Sequence, residues 1–305
     1  MIEHLTRAMY GLDIHLLYAS IVCLAAWVLT ASRSISATAK YWILVAASLN
    51  FFLPLGAVLD GFGASHVGWA SPLGFIGDAA AVISRSLLFW LLWGVGTSLM
   101  LVRLCVRLFA GRRVANSVTT SAPKPLAEIA RGIAIKFTDE RRSPAVEGIL
   151  RPFISIPRDI EHLLNGNEIE AVLLHEFIHA RRRDNLIRLV QEIGQCLLWW
   201  HPLVWLTGRR LALYRELSCD EAVIRQDRNH DLVSALAKLA EPDGGFILRA
   251  NFSSFMSDRL AQLSAHSKPA RRAAGVMVAL LFSTLLCSGI FATISHTACC
   301  FIAHR

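Results

Sequence analysis

Four blocks of apolar sequence constrain this chain more than any other feature. Ile14 to Ala31, Tyr41 to Leu59, Leu87 to about Phe109 and Ala273 to Ile294 are each roughly 16 to 23 residues long, near the ~20 a helix needs to cross the hydrocarbon core of a bilayer. A mean hydropathy of +0.46 with 54% hydrophobic residues in 305 is too apolar for a soluble globule of this size, so the blocks read as membrane spans. Arg103 and Arg107 interrupt the third block four residues apart near its end, where long side chains snorkel to the headgroups. The first block lacks a basic leading region and is soon followed by another, which excludes a cleavable signal peptide.

Basic residues set the expected orientation. Arg33 and Lys40 lie between the first two spans, Arg103, Arg107, Arg112, Arg113 and Lys124 follow the third, and Lys268, Arg271 and Arg272 precede the fourth. The opposite side has Arg7, Arg85 and Arg305, so the amino terminus is expected outside and the region between spans three and four in the cytoplasm. Three parts follow: a three-span membrane region over 1–110, a cytoplasmic domain over 111–272, and the fourth span with a short outer tail over 273–305. The middle part is large enough for one domain with its own core. The net charge of +8 is then mostly membrane-surface charge, so lipid is an expected partner and nucleic acid is not. The seven cysteines show no paired spacing, no disulfide framework is expected, and the adjacent Cys299 and Cys300 fall in the outer tail.

Chemistry is concentrated at His175-Glu176-Phe177-Ile178-His179. On a helix the two histidines lie one turn apart on one face, so both rings reach a single metal ion, while Glu176 is rotated about 100° round the axis. A glutamate so placed can take a proton from a metal-activated water without filling a coordination position, as in zinc hydrolases. In a chain of this composition, chance would produce the pattern on the order of 0.015 times. The flanks read as helix: Asn165-Gly166 supplies a turn, Asn167 and Glu170 stand at capping-box spacing, and Ile169, Val172, Leu173 and Phe177 recur every three to four residues.

A catalytic zinc takes three protein ligands and leaves a position for water. The segment Trp205 to Ile224 reads as a helix entered through His201-Pro202, with Glu216 and Asp220 sharing a face. Glu216 is the expected third ligand, Asp220 the acceptor for a liganding histidine's other ring N–H, and Glu221 points elsewhere. Cys219 is expected as a small buried residue, and His201 as either an aid to the tetrahedral intermediate or a helix cap. Arg181-Arg182-Arg183 reads as a solvated, membrane-facing helix end with Asp184 capping the next helix, and Trp199-Trp200 as bilayer-interface or core residues. Upstream, Ile133 to Phe137 and Arg151 to Pro157 alternate as strands, and the prolines place the second at a sheet edge, where an extended peptide could pair. The fold class is therefore α+β on a membrane frame.

Ser143-Pro144-Ala145-Val146-Glu147-Gly148, Arg151-Pro152, Ile156-Pro157, His175 to Asp184, Trp200-His201-Pro202-Leu203-Val204-Trp205 and Arg215-Glu216-Leu217-Ser218-Cys219-Asp220-Glu221 together resemble the BlaR/MecR family of integral-membrane metallopeptidases. The resemblance implies a bacterial inner-membrane protein of four transmembrane helices. A cytoplasmic gluzincin-like domain would be inserted between the third and fourth, with Zn2+ on His175, His179 and Glu216, and Glu176 as general base. It also implies a regulatory endopeptidase acting on a cytoplasmic protein such as a DNA-binding repressor, with a homo-oligomer left open. Only Ser295 to Arg305 follow the fourth span, so the outer penicillin-binding sensor domain of antibiotic-sensing members is not expected here. The family also suggests self-cleavage. Glu241-Pro242-Asp243-Gly244-Gly245 breaks the helical pattern, the segment from Ala250 to Met256 reads as a tether, and Ser254-Phe255 is the expected bond. Two alternatives stay open: a CAAX-prenyl-endopeptidase-like membrane protease, which shares His-Glu-x-x-His and a later Glu-x-x-x-Asp, and a non-catalytic signalling scaffold.

Overall fold

The computed structural model describes residues 16, 19–52, 87–116, 120–121, 132–138, 143–240 and 255–265. Two helices open it, α1 (Ala19–Ala31) and α2 (Ala37–Phe52), and a long third, α3, runs over Leu87–Asn116. Within α3, Leu88–Ala110 is the one stretch among the described residues long and apolar enough to cross a membrane. Leu88, Leu91, Leu92, Val95, Leu99, Val102, Val106 and Phe109 are all exposed along it, an apolar surface that a bilayer would cover. The expected second span is helical as far as Phe52; its remainder, the loop after it and the fourth span lie outside the described residues.

A four-stranded sheet follows, in the order β1 (Thr120–Ser121), β2 (Ala134–Thr138), β4 (Phe153–Pro157), β3 (Ala145–Glu147). β2 and β4 are parallel and the outer pairings antiparallel. The strand over 151–157, expected at an edge, is therefore interior. Pro152 stands before the paired residues and Pro157 ends them, so the prolines bound the strand without sitting mid-ladder. The edge on that side is β3, which turns into β4 through Gly148 at φ 80; a Cβ there would also collide with the Arg151 carbonyl.

Six helices complete the described chain: α4 (Ile160–Leu163), α5 (Gly166–Arg182), α6 (Asp184–Leu197), α7 (Pro202–Ile224), α8 (Asn229–Ala240) and α9 (Met256–Ser264). The capping box of α5 is Asn165 with Glu168 rather than Asn167 with Glu170. Asn165 Oδ1 accepts from the Glu168 N–H at 2.9 Å, and Glu168 Oε2 accepts from the Asn165 N–H at 2.8 Å. The same spacing occurs twice, two residues apart, and Asn167 and Glu170 instead accept from Arg228. α7 begins with Pro202, whose missing N–H costs nothing at the first helical position. Gly208 lets α7 approach α6 so closely that a Cβ would strike Gln195.

Two hydrophobic cores result among the described residues. One joins Ile135, Ile154 and Ile156 of the sheet to Val172, Leu173 and Phe177 of α5, Leu232, Leu236 and Leu239 of α8, and Leu263 of α9. The other joins Cys23, Ala26, Tyr41, Leu44 and Phe51 of α1 and α2 to Val204, Leu211, Tyr214 and Leu217 of α7. α7 thus runs through both, carrying the second motif from the core it shares with α1 and α2 to the sheet-side core, which its Val223 enters.

Candidate metal centre

α5 and α7 bring the two motifs together. His175 and His179, one turn apart on α5, turn Nε2 atoms toward each other at 3.2 Å. Glu216 of α7 closes the group, with Oε2 3.6 Å from His175 Nε2 and Oε1 3.7 Å from His179 Nε2. Ligands about 2.0–2.1 Å from a tetrahedral zinc stand about 3.3 Å apart, so these separations are of the size such an ion spans. Two imidazoles and a carboxylate also form a donor set suited to zinc.

The other ring nitrogens are tied down. His175 Nδ1 faces Asp220 Oδ1 at 3.0 Å, and His179 Nδ1 faces Asp184 Oδ2 at 2.6 Å. A proton held on Nδ1 leaves the Nε2 lone pair for a metal. Asp220 is the acceptor expected from sequence. Asp184 stands instead where a helix cap was expected: the residue before α6 is Arg183 in the left-handed region, φ 56, and the Asp184 side chain turns inward to His179. Arg182 also turns inward, donating to Asp184, Ser218 and Cys219, so the arginine triplet is not a uniformly solvated end.

Glu176 lies beside the pair and accepts from the Val146 N–H at 3.1 Å, so β3 meets the motif through its outer edge. Asn185 donates to the Val146 and Gly148 carbonyls at 3.1 and 2.9 Å, occupying more of that edge. A cavity of about 120 Å³ opens here, lined by His175, Glu176, His179 and Glu216 with Ala145, Val146, Arg188, Arg215 and Arg259.

Arg259 of α9 was not expected. Nearly fully buried, it donates from Nε and Nη2 to the two Asp220 oxygens at 2.9 and 2.8 Å, and its Nη1 lies 3.5 Å from Glu216. Its sequence signal was a helical repeat: Arg259 and Leu263, four apart, are both buried. From Met256 the chain is helix docked on the centre, so the expected tether does not extend past Phe255; its residues 250–254 lie outside the described ones. Phe255 is the residue before α9, and Ser254 lies outside the described residues. His201 is elsewhere too. Its Nε2 is 3.2 Å from Ser20 Oγ, its ring packs on Phe51, it makes no side-chain cap bond to α7, and it does not line the cavity.

Charge at the centre is strongly coupled. Burial and the Arg259 cation push the His175 imidazole down, but Asp220 and Glu216 outweigh them and leave it raised to about 9. Burial pushes Glu216 up, yet His179, His175 and Arg259 hold it well below the usual carboxylate range. Glu176 ends raised, because burial outweighs the nearby histidines. Cys219 Sγ also falls within 4.8 Å of the ligand atoms of both histidines, but burial pushes that thiol well above its ordinary range, and Arg182 donates to it at 3.1 Å. Glu216 is ionised and lines the cavity, so it is the better-placed donor.

The BlaR1 peptidase M56 family model matches residues 12–240. The chain is 37% identical over 84 residues to the regulatory protein BlaR1 of Bacillus licheniformis, a stretch covering 28% of this chain and 14% of that protein. It is 23% identical over 99 residues to the methicillin resistance mecR1 proteins of Staphylococcus aureus and Staphylococcus epidermidis, covering 32% of this chain and 17% of each. The matched stretches thus span less than a fifth of these curated relatives.

Proposed function

Because this chain belongs to the BlaR1 peptidase M56 family, we propose that it is a membrane-bound zinc endopeptidase with His175, His179 and Glu216 as metal ligands and Glu176 as general base. The observation that carries this reading is the convergence of two Nε2 atoms and an ionised carboxylate, with each Nδ1 held by its own aspartate. Zinc, when bound, supplies a Lewis acid that polarises a peptide carbonyl and makes water acidic enough to be a nucleophile near neutrality. Glu176 takes the proton from the attacking water, and its raised carboxyl pKa suits a group that must accept and then release a proton. The Val146 N–H orients that carboxylate toward the cavity. Beside it, the Val146 and Gly148 carbonyls offer an extended substrate backbone partners once Asn185 yields them.

Purified protein should lose peptidase activity to a chelator and regain it with zinc. Glu176→Gln should keep the metal with activity down at least about 100-fold, as expected for loss of a general base. Full activity in Glu176→Gln removes the mechanism.

The biological substrate is proposed to be a cytoplasmic protein such as a transcriptional repressor, in keeping with relatives named for regulation and resistance. Comparing protein amino termini in cells carrying wild type and Glu176→Gln tests this directly. Self-cleavage at Ser254-Phe255 is part of the same proposal, and would release the chain just before α9. A carboxy-terminal fragment beginning at Phe255, present in wild type and absent from Glu176→Gln, is the expected product; identical intact masses under inducing conditions remove it.

A further inference from the structure

The carboxylates behind the two histidines are themselves held from different parts of the chain. Asp220 is held by Arg259 of α9, close in space to the sheet-side core. Asp184 is held by Tyr41 of α2, the helix expected as the second membrane span. Tyr41 is fully buried and its hydroxyl donates to Asp184 Oδ1 at 2.7 Å, while the other oxygen, Oδ2, faces His179 Nδ1 at 2.6 Å. Arg182 closes the group, donating to Oδ2 at 2.6 Å with its guanidinium 4.4 Å from the centre of the Tyr41 ring. Both carboxylate oxygens are thus engaged, and rotation of the Asp184 side chain is blocked on the side away from the histidine.

We propose that Tyr41 is a positioning residue of the metal centre: its hydroxyl fixes Asp184, which fixes the tautomer and ring orientation of His179, so a helix of the membrane region is a working part of the site. The inference rests on the zinc reading of that site. Its physical basis is that a carboxylate accepting from a liganding histidine's Nδ1 raises the basicity of Nε2 only while its own orientation is held, and loss of such outer partners costs about 10–100-fold in metal affinity. Tyr41 acts one bond further out, so the lower end of that range applies. The tie is also short. At 2.7 Å it sits inside the narrow range of a good O–H···O bond.

Seating of α2 can be separated from this contact. At the start of α2, the Thr38 N–H and hydroxyl both donate to Glu221 Oε2 at 2.9 Å, an anchor to α7 that does not touch Asp184. Thr38→Ala therefore loosens the helix without removing the proposed link, and Tyr41→Phe removes the link while keeping the ring against Arg182.

The experiment measures zinc affinity of the full chain in detergent by competition with a chromophoric chelator, for wild type, Tyr41→Phe, Thr38→Ala, Asp184→Asn and the Tyr41→Phe/Asp184→Asn pair. Tyr41→Phe should bind zinc about tenfold more weakly, Thr38→Ala should match wild type, and Tyr41→Phe should add less than about twofold once Asp184 is already Asn. Wild-type affinity in Tyr41→Phe overturns the inference and leaves the zinc reading standing. So does an equal loss in Thr38→Ala, or a full tenfold loss in the Asp184→Asn background, since either means that Tyr41 acts through general seating rather than through Asp184. Absence of zinc binding by the wild type overturns the zinc reading, and this inference with it.

Discussion

Glu216 and Cys219 both lie within reach of the histidine pair, and their chemistry separates them. A thiol bonds zinc as thiolate, and burial holds the Cys219 thiol far above the range where that form exists without a metal, whereas Glu216 is already ionised. Glu216→Ala should therefore lower zinc affinity by more than about 100-fold, and Cys219→Ser should leave it within about threefold, read as bound metal per protein after dialysis. The reverse ranking would move the third ligand to Cys219. Arg259 is the residue whose loss should be felt most in stability. Asp220 is completely buried and Arg259 bonds both of its oxygens, so Arg259→Met takes away its guanidinium partner and leaves the buried carboxylate facing His175 Nδ1. Breaking one side of a buried pair costs about 3–5 kcal/mol, and the melting temperature should fall accordingly. Arg259→Lys should recover only part of this, because an ammonium cannot reproduce the planar fork. At this scale four-residue spacing paired His175 with His179 and Glu216 with Asp220, while their meeting across α5 and α7 was expected only from the third-ligand argument and the family resemblance. The sequence did not disclose Arg259 or Tyr41, which arrive through tertiary packing from 39 and 143 residues away from the carboxylates they hold.

Helices were legible where a periodic face and a breaker agreed, as for α5 and α7, and less so where two readings had equal local merit. The capping box of α5 is such a case, and Glu168 shows what decides it. Glu168 is buried, and besides closing the cap it accepts from Ser234 and from Lys238 of α8 at 2.6 and 2.8 Å, bonds that no residue at position 170 makes. Burial pushes the Glu168 carboxyl up, but Lys238, Ser234 and the Asn165 N–H outweigh it and hold it below the ordinary 4.5. A carboxyl depressed in the folded state contributes stability that is complete above its unfolded value and lost as pH falls through its folded value. Glu168→Gln should therefore be less stable than wild type at pH 7, by about 1–2 kcal/mol for the lost charge-assisted bonds. The gap should narrow progressively below about 4.5, as measured by urea unfolding across pH. A gap unchanged down to pH 3 would mean that shape rather than charge makes this contact. The strand over 151–157 failed for a related reason. Proline bounds a strand equally well at an edge or in the interior, and only pairing with both β2 and β3 reveals which.

Taken whole, the molecule ties its proposed metal centre to α1, α2 and α3 more closely than a separate peptidase domain would require. The proposed division at residues 110 and 111 follows composition, which changes there, but the second core crosses it: Cys23, Ala26, Tyr41 and Leu44 pack with Val204, Leu211, Tyr214 and Leu217 of α7. Composition cannot report such a contact, because an apolar face that meets protein and one that meets lipid use the same residues. Polar bonds reinforce it. The Tyr214 hydroxyl donates to the Thr30 carbonyl at 2.9 Å, and α3 joins α6 through Trp93 to the Leu197 carbonyl and through Arg107 to Glu192. A fragment of residues 111–272 would keep every proposed zinc ligand yet expose the face of α7 that α1 and α2 now cover. Each large apolar side chain uncovered there forfeits about 1.5–3 kcal/mol of burial, and four of them together rival the whole stability of a domain. The fragment should therefore elute from a sizing column as aggregate or depend on detergent, while the full chain in detergent gives a single cooperative melt. A fragment that is monomeric without detergent and melts like the full chain would show that the peptidase region stands by itself, and that the contacts across residue 110 contribute little.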